Sequence, residues 1–171
     1  MYGRLPVIKA PPSTASRSER EAYVKQWAAI TISVFALLLA INGMWGGSNS
    51  SKVLSKTIEA NNLWSWYQAK NVRAAIYAVA AEQNTKQSNT FDKQAIRLRD
   101  DMEEISAKAK MAEADRDAAK SRSPFFSYAG MALQLSIVLS SAAILAVMMP
   151  LLYGSAMVGL VGLSFMLYAV M

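Results

Sequence analysis

Residues 125–171 have the sequence FFSYAGMALQLSIVLSSAAILAVMMPLLYGSAMVGLVGLSFMLYAVM, which contains no Lys, Arg, Asp or Glu. All 18 basic and 12 acidic residues of the 171-residue chain precede Pro124. This segregation of charge is typical of a membrane-embedded part joined to a water-facing part, and not of a globule with one buried centre. We expect two membrane-spanning helices here, at about 125–149 and 151–171, with Pro150 and Gly154 marking a tight turn near their junction.

A further apolar segment lies near the N-terminus, between Trp27 and Trp45. Only Thr31, Ser33 and Asn42 are polar within it. Its length as a helix is about 27 Å at 1.5 Å per residue, close to the hydrocarbon thickness of a bilayer. The sequence therefore predicts a first span with one tryptophan at each membrane interface. The long polar lead-in argues against a cleaved signal peptide, and the spacing of Ser18 and Glu21 predicts a helix start before the span.

Two long helical patterns follow the first span, at about 49–83 and 90–122, with a turn predicted at 84–89. The second pattern has apolar residues at alternating steps of four and three, broken only at Arg116. Such heptad spacing predicts close packing against another helix. We expect an antiparallel, coiled-coil-like hairpin in which a stripe of the first arm (Ala69, Val72, Ile76, Val79) packs against this seam. The seam consists of Phe91, Ala95, Leu98, Met102, Ile105, Ala109, Ala112 and Ala119.

The predicted fold class is thus an all-α membrane protein with three transmembrane helices and a long helical hairpin between spans one and two. The predicted parts are a polar, proline-bearing tail (1–17), the first transmembrane helix with its lead-in (18–46), the water-facing hairpin (47–123) and a transmembrane hairpin (124–171).

Composition argues against several classes of chemistry. The chain has no Cys and no His, so thiolate nucleophiles, imidazole bases and the usual zinc ligands are missing. Asp100, Glu103 and Glu104 share one helical face that could bind a divalent cation, but a solvated charged exterior is the favoured interpretation. The net charge of +6 suits anionic lipid headgroups better than nucleic acid. We expect no enzyme activity, no cofactor, no metal and no nucleic-acid partner.

Aromatic and basic residues are concentrated in the first arm of the predicted hairpin. One interpretation is that Trp64 and Tyr67 close the core of the hairpin. The favoured one is that two tryptophans on adjacent helix faces cannot both be covered by one thin helix, so at least one is expected to contact another chain. The candidate partner-binding residues are Trp64, Trp66, Tyr67, Lys70 and Arg73.

Small residues at four-residue spacing in the spans would let helices approach closely in lipid, although ordinary small residues of a membrane helix are the favoured interpretation. Gln134 could bond across helices, face a cavity or lie near the wetted interface, and a structural hydrogen bond is the favoured role. The candidate helix-packing residues are Phe91, Leu98, Met102, Ile105, Ala109 and Ala112 in the hairpin, and Ser136, Ser140 and Gly159 in the spans.

The segment Ala60–Arg73, ANNLWSWYQAKNVR, resembles the signature of a family of small bacterial membrane proteins of unknown function, with the motif W-x-[WY]-Y-Q-A-K. The resemblance covers about residues 27–171. It implies one span, a helical hairpin and two closing spans, and it implies no activity. The family often has a basic turn between spans two and three, whereas this chain has the uncharged stretch Met148–Tyr153.

The expected function is that of a structural or accessory membrane subunit, which packs against the lipid bilayer and against other membrane proteins or copies of itself through its tail, hairpin and spans. A homo-oligomeric pore or transporter-like assembly is the alternative. The expected location is the bacterial inner membrane. Basic residues near the spans give conflicting orientation signals; with the family plan added, we expect a cytoplasmic N-terminus and a periplasmic hairpin.

Overall fold

The structure is a computed structural model that describes residues 16–83 and 87–171. These residues form three α-helices: α1 (Arg17–Gln83), α2 (Ser88–Ala146) and α3 (Met149–Val170). Each helix contains a segment that is long and apolar enough to cross a membrane. The helical fold class and the number of such segments are therefore as the sequence predicts. The predicted tail, up to residue 15, and residues 84–86 of the predicted turn lie outside the described residues.

The start of α1 is a reciprocal capping box. The Ser16 Oγ atom accepts a hydrogen bond from the Glu19 backbone N–H at 3.3 Å, and the Glu19 carboxylate accepts one from the Ser16 backbone N–H at 2.9 Å. This pairing satisfies two N–H groups that a helix end leaves without intrahelical partners. The predicted pair, Ser18 and Glu21, is wrong by two residues, because Glu21 instead forms an ion pair with Lys25 one turn later.

The end of α2 comes three residues before the predicted boundary. The Met148 N–H bonds the Ala143 carbonyl at 3.2 Å, and Val147 has a φ of 52°. This is the Schellman arrangement, with Val147 in the left-handed conformation that glycine usually supplies. Pro150 does not form the turn; it lies in the first turn of α3, where a residue without an N–H loses no helical hydrogen bond.

The described residues fall into two compact units. The span unit comprises residues 16–47 and 122–171. The arm unit comprises residues 48–83 and 87–121. The boundaries lie inside α1 and α2, which remain helical through Gly47 and Ser121.

In the span unit, segments of all three helices are in contact. The Phe35 ring lies on Gly159, where an added Cβ atom would be 2.1 Å from the ring. Gly162 packs against α2 less closely, since a Cβ atom there would be 3.1 Å from Leu133 and 3.2 Å from the Ala129 carbonyl oxygen. A small apolar core of Ala28, Ala143 and Leu152 joins the three helices.

In the arm unit, five pairs of side chains or backbone groups join α1 to α2. Residue numbers rise along α1 as they fall along α2. The pairs are Asn49 with Ala119, Lys56 with Asp115, Trp64 with Glu113, Lys70 with Asp101, and Tyr77 with Phe91.

The face of α1 that packs on α2 is not the predicted one. Val72, Ile76 and Val79 are 60%, 61% and 52% exposed, and Ala69 is also exposed. The covered face lies on the opposite side of the helix, because moving by two residues turns an α-helix by about 200°. The covered face also has heptad spacing. Polar and aromatic residues occur between its alanines, so the spacing is not apparent from apolar residues alone. The covered or partly covered residues are Asn49, Val53, Lys56, Ala60, Leu63, Tyr67, Lys70, Ala74, Tyr77 and Ala81.

Candidate functional site

Trp64 lies between α1 and α2 in the arm unit and is only partly exposed. Its indole Nε1 donates a hydrogen bond to the Glu113 carboxylate at 3.0 Å. The Tyr67 ring lies edge-on to the indole, with 5.5 Å between the ring centroids. The hydrogen bond satisfies the one polar atom of the indole, so the pair can close the contact between the helices without an unpartnered donor.

Two lysines lie at heptad positions of the covered face of α1. Lys70 bonds the Asp101 carboxylate, and Lys56 contacts Glu59 at 2.8 Å and Asp115 at 3.3 Å. The hydrogen bonds to Glu59 and then Asp115 raise the pKa of Lys56. A polar residue in an otherwise apolar seam fixes which residues face each other, so these lysines restrict the register of α1 on α2.

Trp66 and Arg73 lie on the outer side of α1. Trp66 is 64% exposed, and among the described residues Arg73 forms no ion pair. Trp66 borders an open groove of about 600 Å³, which Ile58 and Leu63 also line. The five candidate partner-binding residues therefore divide into an inner set of three and an outer set of two.

All the seam residues predicted in α2 are buried or partly buried. Ala109 and Ala112 are almost fully buried, and Met102 and Ile105 are buried as well. Phe91 and Leu98 are partly exposed, and Phe91 stacks on Tyr77 with 6.0 Å between centroids.

In the span unit, Ser136 and Ser140 face Ser155 of α3, and all three are fully buried. Ser136 Oγ donates to the Ser155 carbonyl oxygen at 2.7 Å, and Ser155 Oγ donates to the Leu152 carbonyl at 2.8 Å. The Ser140 hydroxyl then donates to Ser155 Oγ at 2.8 Å. Every hydroxyl has a partner, so the cluster joins α2 to α3 at little desolvation penalty.

A second buried polar contact involves Asn42, whose Nδ2 donates to the Phe126 carbonyl oxygen at 3.0 Å. The Asn42 Oδ1 atom is buried and has no partner. Gln134, for which an interhelical bond is predicted, has an exposed side chain. Asn42 thus joins α1 to α2 in the way that the sequence suggests for Gln134.

The described residues contain no group of three or more His, Cys, Asp or Glu that could hold a metal ion. In particular, Asp100, Glu103 and Glu104 are exposed, and Glu104 pairs with Lys108 one turn away. The buried polar groups described above join helices, and none is arranged with a nucleophile and a base.

Comparison with known protein families identifies a family that covers most of the chain. Residues 24–171 match the Domain of unknown function (DUF4337). The chain belongs to this family. The match begins within the predicted lead-in of the first span and continues to the last residue, so the DUF4337 domain includes all of α2 and α3. No curated protein and no solved structure matches the chain.

The contacts of Phe35 with Gly159 and of Glu113 with Trp64 are not predicted from the sequence. Ser155 is expected only to allow close helix approach, and its hydrogen bonds with Ser136 and Ser140 are not predicted. Phe35 is one apolar residue among many in its span, so nothing in the sequence marks it. Ser155 carries a weak signal, since it precedes Gly159 by four residues, the spacing that small residues in packed membrane helices often show.

Proposed function

We propose that this chain is a non-enzymatic, membrane-anchored structural subunit. Its three apolar helical segments would cross the bacterial inner membrane, and the arm unit would be an antiparallel helical hairpin in water that binds another protein. The charge-free stretch 125–171 and the three membrane-length apolar segments support the anchor. The five α1–α2 pairs of the arm unit support the hairpin.

The single observation that carries the binding role is the outer face of α1 in the arm unit. Six large apolar side chains there are more than half exposed: Leu54, Ile58, Trp66, Val72, Ile76 and Val79. The described part of α2 in this unit has only two such residues, Ile96 and Met111. Several large exposed apolar side chains on one side of a water-facing helix are typical of a protein-binding surface.

For the orientation we propose a cytoplasmic N-terminus and a periplasmic arm unit, as the family plan and the basic residues before the first span suggest. The pore alternative requires a polar lining. In the span unit, Asn42 and the serine cluster bond to neighbouring helices, which favours a packing role for these groups.

The test is the size and composition of the particle extracted from the native membrane in mild detergent with an affinity tag. The proposal expects a particle heavier than one chain, and a smaller particle or less recovered partner when Trp66 is changed to Ser. Changing Met111, which is 70% exposed on α2, to Ser is the matched control and should leave the particle intact. A monomeric wild-type particle would overturn the proposal.

A further inference from the structure

The exposed face of α1 in the arm unit has its own heptad spacing, separate from the one that packs on α2. Its core positions alternate by four and three residues over 58–83, and every one of them is exposed. We call this set the outer stripe. It consists of Ile58, Asn62, Ser65, Ala69, Val72, Ile76, Val79 and Gln83.

We infer that the outer stripe is a dimer interface, on which the same stripe of a second copy packs in parallel as a coiled coil. The inference rests on the proposed function and names the partner. It also accounts for α1 carrying two heptad faces on opposite sides, since α2 covers only one of them.

The outer stripe contains no charged residue, although the chain is charged elsewhere along this unit. Ile76 lies at the first core position of its heptad, where a β-branched residue favours two strands, and Val72 and Val79 occupy the second core positions on either side of it. They also line an open groove of about 490 Å³ along the helix. Ala69 and Ser65 continue the stripe with small side chains, which permit close approach of a second helix.

Asn62 is the observation that favours a second copy over a different protein. In a parallel dimer an asparagine at the first core position of a heptad faces its own counterpart. One amide can then donate to the other, because each has both donor and acceptor atoms. A single asparagine at such a position is known to fix register and the two-stranded state.

The residues flanking the stripe are compatible with this pairing. Parallel packing places Gln68 of one copy beside Arg73 of the other, and Asn61 beside Trp66, so no like charges meet there. Trp66 would then cover the edge of the interface instead of lying open to water. Two copies anchored in one membrane have the same topology, which also favours parallel segments.

The absence of cysteine from the chain makes single-cysteine crosslinking a clean test in native membranes. In a parallel dimer each core residue faces its own counterpart, so Val72→Cys and Ile76→Cys should each form a disulfide between copies on mild oxidation. Ala107→Cys, exposed on α2, is the control and should stay at the mass of one chain.

Charge exchange at Asn62 tests the pairing independently of oxidation. Asn62→Asp and Asn62→Lys should each abolish the Val72→Cys crosslink when expressed alone, because like charges would face each other. Co-expression of the two variants should restore it, and restoration also shows that both variants fold.

Three outcomes would overturn the inference and leave the proposed function standing. One is a Val72→Cys crosslink no stronger than that of Ala107→Cys. Another is a crosslink between Ile58→Cys and Ile76→Cys chains without self-linking of either, which would indicate antiparallel packing. The last is a particle that contains a different protein and one copy of this chain; the proposed function would then stand while the dimer would fail. A particle of one chain alone would defeat both.

Discussion

The span unit and the arm unit hold their helices together with different groups. In the span unit the contacts are Phe35 on Gly159 and serine hydroxyls bonded to Ser155. In the arm unit they are an alanine seam, stacked rings and the ion pairs of Lys56 and Lys70.

The difference follows from the solvent that each unit is proposed to face. In lipid, removing apolar surface from contact with the surrounding lipid chains gives no gain in free energy, so close backbone approach and hydrogen bonds hold helices together. In water, burial of apolar area stabilises a helix pair, and charged groups at its margin remain solvated. Substitutions that exploit this contrast should therefore have unequal effects in the two units.

The largest effect is expected at Gly159, where alanine would place a Cβ atom 2.1 Å from the Phe35 ring. We expect Gly159→Ala to lower the free energy of unfolding in detergent by about 1–3 kcal/mol, the usual range for overpacking. Gly154→Ala in the same helix is the control, because nothing lies within 4 Å of its added methyl group.

The double variant Phe35→Ala, Gly159→Ala identifies the cause of that loss. If the ring is responsible, the glycine substitution should be much less harmful once the ring is absent. Equal losses with and without the ring would show that the Phe35 contact is not what constrains position 159.

A smaller effect is expected at Ser155, which bonds both Ser140 and the Leu152 carbonyl. Ser155→Ala leaves the Ser140 hydroxyl without its acceptor and should destabilise the protein by about 1 kcal/mol. Ser164→Ala, which removes only an exposed bond to the Leu160 carbonyl, should be close to neutral when the free energy of unfolding is measured in the same detergent. Similar losses for both would contradict an interhelical role for the serine cluster.

The smallest effect is expected at the ion pairs of the arm unit. Because the pKa of Lys56 is raised by Glu59 and Asp115, its contribution is complete below the unfolded lysine pKa of about 10.4 and is lost as the pH rises through the folded value. Unfolding monitored by circular dichroism at increasing pH should show a slight loss of stability in this window. Lys56→Met should remove that part of the pH dependence. An unchanged profile would show that the loss of stability at high pH comes from other groups.

Much of the fold is predictable, because bilayer thickness sets the length of apolar segments and helix packing sets the spacing of apolar residues. Trp27 and Trp45 lie at the ends of an apolar segment of membrane length. The seam from Phe91 to Ala119 can be recognised because its apolar residues are separated by charged residues in this part of α2. The boundary at Val147 was not predictable, since a β-branched residue in the left-handed conformation has no sequence signature. The face of α1 that packs on α2 is not predictable from apolar spacing, because its core positions include Lys56 and Lys70.

The sequence by itself determined that this DUF4337 chain is helical, that three segments can cross a membrane and that most of the charged residues lie between the first two of them. Periodicity and charge are properties of short stretches, so they are visible without a structure. Only the tertiary structure decided which of two heptad faces of α1 meets α2, that Ser155 serves both Ser136 and Ser140, and that Trp66 is left exposed while Trp64 is not. Those outcomes depend on which helix surfaces are in contact. When a helix has apolar residues on opposite sides, its sequence alone does not determine which side packs against its neighbour.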